Sequence, residues 1–255
     1  MLEGKVALVT GSADGLGKVT AMMLAQRGTD LVLCDILGEK LEQTRKEIEA
    51  LNRKCLAYQV DVTLRSEVDP MVRDAVGRLG RIDLLVNNAG GSLGSAWEIE
   101  EISDGDWDRV VDVNLKGAFI CCRAVVPVMK HSNFGAIVNV SSSAARNGGY
   151  SNGPAYAAAK AGLIGLTRNL ARQLALFNIR VNAVAPGLTL TSDTMRARIL
   201  SDAYREQRML VLGSTVMKRY GEPREVASAI CFLLSDEASF ITGITLDVSG
   251  GGHFA

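Results

Sequence analysis

A chain of 255 residues with 47% apolar content is long enough for one sizeable α/β domain and rich enough to fill its core. Its 28 basic residues balance its 28 acidic ones, so no electrostatic footprint points to nucleic acid or an anionic membrane, and a small-molecule partner fits better. The chain enters its first strand almost at once, leaving no room for a signal peptide, and no apolar run approaches a membrane span; a cytoplasmic protein is expected.

The first apolar run, Val6 to Val9, ends at Thr10, and three glycines follow at Gly11, Gly15 and Gly17 before the helical spacing of Val19 to Arg27. Strand, tight turn and helix are predicted. Glycine lets the backbone take positive φ or lie against a ligand, and a helix start offers unpaired N–H groups, so this stretch reads as a pyrophosphate cradle. Its Gly-x-x-x-Gly-x-Gly spacing departs from the Gly-x-Gly-x-x-Gly dinucleotide fingerprint. A second run, Leu31 to Cys34, ends in Asp35 at about the distance where that fingerprint places an acidic residue. A carboxylate there accepts the hydroxyls of an adenosine ribose and repels a 2′-phosphate. Asp14 adds a second carboxylate with no arginine nearby, which predicts NAD rather than NADP.

Glu39 to Arg53 alternates charges around Leu41, Ile48 and Leu51 as a surface helix does. Cys55 to Val60 is a third strand closed by Asp61, Val62 and Thr63, with Asp61 placed to cap the turn or touch the adenine side. A helix follows over Ser66 to Leu79, then a fourth strand, Ile82 to Val86, and the small polar turn Asn87-Asn88-Ala89-Gly90-Gly91. Open α/β sheets bind ligands at such strand ends. Trp107 to His131 reads as one long helix interrupted near Asn114, Lys116 and Gly117, because a buried asparagine must find partners. Ala136 to Val140 is a fifth strand ending in Ser141-Ser142-Ser143, and a glycine-rich loop leads to a helix over Ala155 to Phe177. Ile179 to Ala185 is a sixth strand closed by Pro186-Gly187. The irregular stretch 188–220 reads as a substrate lid. A helix over Pro223 to Leu234 and a strand over Ile244 to Val248 finish the pattern. Strands alternating with helices predict a doubly wound parallel sheet of about seven strands, helices on both faces, in a single Rossmann-type domain.

Cys34, Cys55, Cys121, Cys122 and Cys231 show neither zinc spacing nor the density of a disulfide scaffold, and are expected as buried thiols. With only His131 and His253 to offer imidazoles, no metal site is expected, and no Gly-x-Ser-x-Gly elbow announces a serine hydrolase. Tyr156 and Lys160 share one face of their helix. A nearby ammonium favours phenolate over phenol, pulling a tyrosine down from about 10 and fitting it to exchange a proton with an alcohol.

Taken together, Thr10 to Gly17, Asp61, Asn87 to Gly90, Asn114, Ser141-Ser142, Tyr156-Ala-Ala-Ala-Lys160, Pro186-Gly187 with Thr191, and Arg219 to Pro223 resemble the short-chain dehydrogenase/reductase family along nearly the whole chain. The resemblance implies Tyr156 as general acid/base, Lys160 as the group that tunes it and holds the nicotinamide ribose, Asn114 as anchor of a relay water, and a strand-end serine on the substrate oxygen. Strand alignment selects Ser142, whereas Ser143 has the family's usual spacing to the tyrosine. The cofactor contacts implied are Gly11, Asp14, Gly15, Leu16, Gly17, Asp35, Asp61, Val62, Asn88, Ala89, Gly90, Tyr156, Lys160, Pro186, Gly187, Thr189 and Thr191. Thr189 replaces a usual aliphatic residue. The expected activity is hydride transfer between NAD(H) and a secondary alcohol or ketone. Alternatives are 3-oxoacyl-carrier-protein reduction, for which the arginine expected at Asp14 is missing, a non-catalytic NAD-binding module, and an epimerase or dehydratase. Pocket walls are expected from Gly91 to Trp97, Ala144 to Tyr150 and Leu190 to Met217, with Arg146 as a candidate for polar recognition. Apolar helix positions such as Phe119, Leu163, Leu166, Leu170 and Leu174 predict a homotetramer, with a dimer as the other possibility.

Overall fold

Val6–Thr10 (β1) is buried along its whole length, as a strand covered on both faces must be. In the computed structural model, which describes residues 2–148, 152–191 and 193–252, it leads through the glycine turn into Gly15–Gln26 (α1), Asp30–Asp35 (β2), Gly38–Glu49 (α2) and Cys55–Gln59 (β3). Arg65–Leu79 (α3), Leu84–Asn87 (β4), Asp104–Val111 (α4), Gly117–Ser132 (α5) and Gly135–Val140 (β5) follow. The remainder comprises Ala144–Asn147 (α6), Pro154–Leu174 (α7), Ile179–Pro186 (β6), Asp193–Leu200 (α8), Arg205–Ser214 (α9), Pro223–Leu234 (α10) and Thr245–Val248 (β7). Gly149, Tyr150 and His253 lie outside the described residues, as does the side chain of Met195.

All seven strands are parallel, in the order β3-β2-β1-β4-β5-β6-β7. The order reverses between β1 and β4, and such a switch point opens a crevice at the carboxyl ends of the strands. Alternation along β1 sends Ala7 and Val9 into a core shared with Leu24 of α1 and Ile230 of α10. Val6 and Leu8 point to the other face, into a core built with Val72 of α3 and Val125 of α5.

The expected long central helix is divided. Asp112–Lys116 forms a π turn between α4 and α5, and its buried member is Asn114. The stretch 188–220 is more regular than expected, since α8 and α9 lie within it. Arg196 of α8 donates to Glu222 at 2.7 Å, and Glu222 also takes part in the capping box that starts α10. Leu163 and Leu174 are buried inside the subunit, so they are not the outward apolar positions the helix pattern suggested; Phe119 is exposed, while Leu166 and Leu170 are partly buried. The five cysteines are buried and unbridged. Among the described residues no helix is long and apolar enough to cross a membrane.

Two glycines set the width of the crevice. Gly11 has φ +64°, and a Cβ there would lie 2.8 Å from Ala89 Cα. At Gly17 a Cβ would fall 2.0 Å from the Gly11 carbonyl oxygen, so α1 can start this close to β1 only without a side chain. Gly17→Ala is therefore expected to lower stability by about 3 kcal/mol. Gly77→Ala, in α3 with open space around it, should raise stability by about 0.5–1 kcal/mol. Urea denaturation of both variants measures the contrast, and equal effects would show that the loop relaxes around the added methyl.

Candidate active site

A cleft of about 1000 Å³ opens at the β1/β4 switch. Its base is a clamp between the two strand ends. Thr10 Oγ1 accepts from the Asn88 and Ala89 amides at 3.0 Å each, and the Asn88 side-chain amide donates to the Thr10 and Gly11 carbonyls, also at 3.0 Å. Asn88 lines the cleft, but its amide nitrogen is committed to the loop itself.

Gly11, Asp14, Gly15 and Leu16 line the same cleft beside the start of α1. Asp14 caps that helix, its Oδ1 accepting from the Gly15 amide at 2.7 Å. A Cβ on Gly15 would meet the Thr191 carbonyl at 3.1 Å, so the segment after β6 closes over the loop. Gly17 is not among the lining residues; it is packed beneath Gly11 and shapes the cradle from behind. At the end of β2, Asp35 accepts from the Ala13 amide at 2.9 Å and from the Leu37 amide at 3.0 Å. Each carboxylate oxygen keeps a lone pair for a further donor.

Asp61 and Val62 line the cleft after β3, with Asp61 Oδ1 accepting from the Thr63 amide and hydroxyl at 2.8 and 2.7 Å. Ala89 and Gly90 line it after β4, Pro186 and Gly187 after β6, then Thr189 and Thr191. The Thr189 hydroxyl donates to the Gly187 carbonyl at 3.1 Å, and Thr189 forms a parallel bridge with Gly221. That bridge explains the Arg219-to-Pro223 motif: it fixes the foot of the segment carrying α8 and α9.

Ser142, Tyr156 and Lys160 meet on the floor. Ser142 Oγ accepts from the Ala144 amide at 3.1 Å and is hydrogen-bonded to Tyr156. Ser143 also lines the cleft, and its amide donates to the Pro186 carbonyl at 2.9 Å. Lys160 is buried, its Nζ donating to the Val140 carbonyl at 2.8 Å and lying 5.6 Å from the centre of the Tyr156 ring. The expected downward pull of Lys160 on the phenol is not what the protein groups produce. Burial raises the Tyr156 pKa, opposed by the hydrogen bond from Ser142, and burial takes Lys160 down to about 8. Desolvation disfavours both charged forms and is the largest cause at each.

Asn114 stands behind the cleft rather than in it. Its side-chain amide donates to the Gly91 and Val110 carbonyls at 2.8 Å each, and its Oδ1 accepts from the Gly91 amide at 3.0 Å. A Cβ on Gly90 would come within 2.3 Å of Asn114 Oδ1 and 3.3 Å of Lys160 Nζ, so a glycine is what lets Asn114 and Lys160 approach from either side.

Arg146 does not face the cleft. Its guanidinium lies 3.5 Å from Asp247 and donates to the Thr245 carbonyl at 3.4 Å, because α6 packs it against β7, where a largely buried cation needs an anion. Ser92, Leu93, Asn147 and Asn152 contribute to the walls. Lys40, which nothing in the sequence singled out, reaches Asp14 Oδ2 at 2.6 Å. Among the described residues no cluster of three His, Cys, Asp or Glu side chains is placed to hold a metal ion.

Residues 11–253 match the family described as enoyl-(acyl carrier protein) reductase. The chain is 44% identical to the 3-oxoacyl-[acyl-carrier-protein] reductase of Thermotoga maritima, covering 98% of both. It is 39% identical to a subunit of the (2S)-[(R)-hydroxy(phenyl)methyl]succinyl-CoA dehydrogenase of Thauera aromatica, over 98% of this chain and 97% of that one. The structure of an NAD+-bound xylitol dehydrogenase superposes with a TM-score of 0.90 at 35% identity, over 98% of this chain and 99% of that one.

Lys160 makes stability depend on pH. Its folded pKa, about 8, lies below the ordinary lysine value of about 10.4. Below about pH 8 folded and unfolded chains both hold the proton and its burial cost is present in full. As pH rises from about 8 to about 10.4 the folded chain sheds the proton first, and stability rises. Relative to Lys160→Met, the wild type should gain about 3 kcal/mol across that window in urea unfolding. A flat difference would mean that the ammonium is better solvated than its burial indicates.

Proposed function

The chain belongs to the short-chain dehydrogenase/reductase family and is an oxidoreductase acting on CH–OH groups, and from this premise we propose that it transfers hydride between NAD(H) and a ketone or secondary alcohol carried on an acyl chain. The observation that carries the reading is the Ser142–Tyr156 hydrogen bond beside buried Lys160, on the floor of a cleft whose far end is a glycine cradle with an acidic strand end. The cradle suits a dinucleotide because the amides at the start of α1 adjoin the cleft, and Gly11 and Gly17 let the loop and α1 pack closely behind them.

In this reading Gly11, Gly15 and Leu16 would hold the pyrophosphate, Asp35 the adenosine ribose, Asp61 and Val62 the adenine, and Ala89 and Gly90 the middle of the coenzyme. Lys160 would hold the second ribose, with Pro186, Gly187, Thr189 and Thr191 along the nicotinamide side. When bound, the nicotinamide coenzyme supplies or accepts the hydride. Ser142 donates a hydrogen bond to the substrate oxygen. Tyr156 Oη delivers the proton to that oxygen in reduction and removes it in oxidation. The Lys160 ammonium, once charged, favours the phenolate and offsets the burial that raises it. Asn114 acts through position, bracing Gly91 and the chain beside Lys160.

The names of two relatives support the acyl chain. Both curated names describe an acyl group, on a carrier protein in one case and on coenzyme A in the other, that bears an oxo or hydroxyl function. Asp14 in place of the arginine expected of an acyl reductase bears on the coenzyme and says nothing against the acyl group. Apolar wall positions such as Leu93, Val113 and Leu188 suit the alkyl body. The stretch 188–220 serves as the lid, and a cytoplasmic location accords with five unbridged thiols.

A purified sample offered acetoacetyl-CoA is expected to oxidise NADH well and NADPH poorly, and to act more weakly on free cyclic ketones; the reverse ranking of substrates would return the reading to free alcohols. Tyr156→Phe should lower turnover by about 10²–10⁴ with NADH binding retained. Ser142→Ala should cost on the order of 10², whereas Ser143→Ala should be mild, and the opposite ranking moves the substrate contact to Ser143.

A homotetramer belongs to the same reading. Phe119 on α5 is exposed, stacked under Arg123 at 5.0 Å, and Leu166 on α7 is partly buried, which leaves apolar surface for a second subunit to cover, whereas Leu170 packs against the core. Light scattering at micromolar concentration is expected to give four subunits, and a monomer would refute it.

A further inference from the structure

Lys40 lies in the first turn of α2, a helix from which Glu47 also reaches across, to Lys18 of α1, while Glu42, Arg45 and Glu49 pair along the helix itself. Its ammonium crosses to the glycine turn and pairs with Asp14 Oδ2 at 2.6 Å, with both side chains about half exposed. Asp35 adds to the negative field at the same ammonium. Both carboxylates line the cleft where β2 ends, which is where the reading above puts the adenosine ribose. A flexible lysine stem thus stands beside the point where NAD carries a 2′-hydroxyl and NADP a 2′-phosphate.

We propose that Lys40 is a latent ligand for a 2′-phosphate that Asp14 keeps engaged, so that discrimination between the coenzymes rests on the Asp14–Lys40 pair as well as on Asp35. The inference rests on the NAD assignment. A dianionic phosphate arriving there has to displace Asp14 from the ammonium and then lie next to two carboxylates, with like-charge repulsion on one side and a competed cation on the other. Without the Asp14 charge, the ammonium is free to turn toward the phosphate. Asparagine suits the test because its side-chain oxygen can still accept from the Gly15 amide, as Asp14 Oδ1 does at 2.7 Å, and so keeps the cap on α1.

The experiment is a titration-calorimetry cycle over wild type, Asp14→Asn, Lys40→Met and the double variant, each with NADPH and with NADH. Asp14→Asn should tighten NADPH binding by at least about tenfold, and adding Lys40→Met should erase that gain. Lys40→Met alone should move NADPH affinity by less than about threefold, since the lysine is engaged elsewhere in the wild type. NADH affinity of Lys40→Met, and an unchanged urea-unfolding midpoint of Asp14→Asn, report that the loop is intact. A wild type that holds NADPH as tightly as NADH would overturn the NAD assignment itself. A wild type that discriminates, with a gain in Asp14→Asn that is absent or that survives the loss of Lys40, would overturn the role of Lys40 alone.

Discussion

Everything at the cleft depends on how closely β1 and β4 approach at their carboxyl ends, and there two side chains cross between them. The Asn88 amide ties the Thr10 and Gly11 carbonyls, while the Thr10 hydroxyl receives two backbone amides from the turn after β4. A glycine turn has little conformational preference of its own. Pinned in this way it presents a fixed row of donors, and Gly17 beneath it lets α1 begin against the loop. The crevice that topology permits becomes one of definite width.

A second tension lies on the floor. Tyr156 and Lys160 are buried together, and burial penalises the charged form of each. The Val140 carbonyl receives the lysine ammonium, and the Ser142 hydroxyl bonds the phenol. Lys160, taken down to about 8, is brought toward the balance between its charged and neutral forms, whereas Tyr156 is held neutral. The structural cost falls on the floor of the cleft.

Much of this architecture is legible in the residues. The apolar runs at Val6, Leu31, Leu84 and Ile179 mark strands because a sheet buried on both faces needs near-continuous apolar sequence. Asn114 announces its π turn because a polar side chain among Val110, Val113 and Leu115 has to find partners. Where reading fails, the reason is tertiary direction. Arg146 belongs to a short helix beside the cleft, yet its guanidinium turns to Asp247, a residue a hundred positions away in the chain. Lys40 looks like any solvated lysine on α2 until the helix is placed beside the glycine turn. Leu163 and Leu174 look outward on a helical pattern and are buried because α7 is covered on more than one side. The sense of the Tyr156 shift fails for a related reason: spacing shows that a lysine is near, and only the packed structure shows how little water reaches either group.

The π turn at Asp112–Lys116 has a further consequence. Each residue of an α-helix advances the side-chain direction by about 100°, so one extra residue would turn α5 by that much unless a bulge took it up locally. The π turn does so, and α4, which ends at the mouth of the cleft, and α5, which packs Ile120, Cys121 and Val125 against the sheet, keep the phase of one continuous helix. Removing one residue there would restore a regular spiral and leave the packing of α5 in place, while the bulge that turns Asn114 onto the Gly91 and Val110 carbonyls would be lost. The length of the segment thus serves to aim one polar side chain, and the core is indifferent to it.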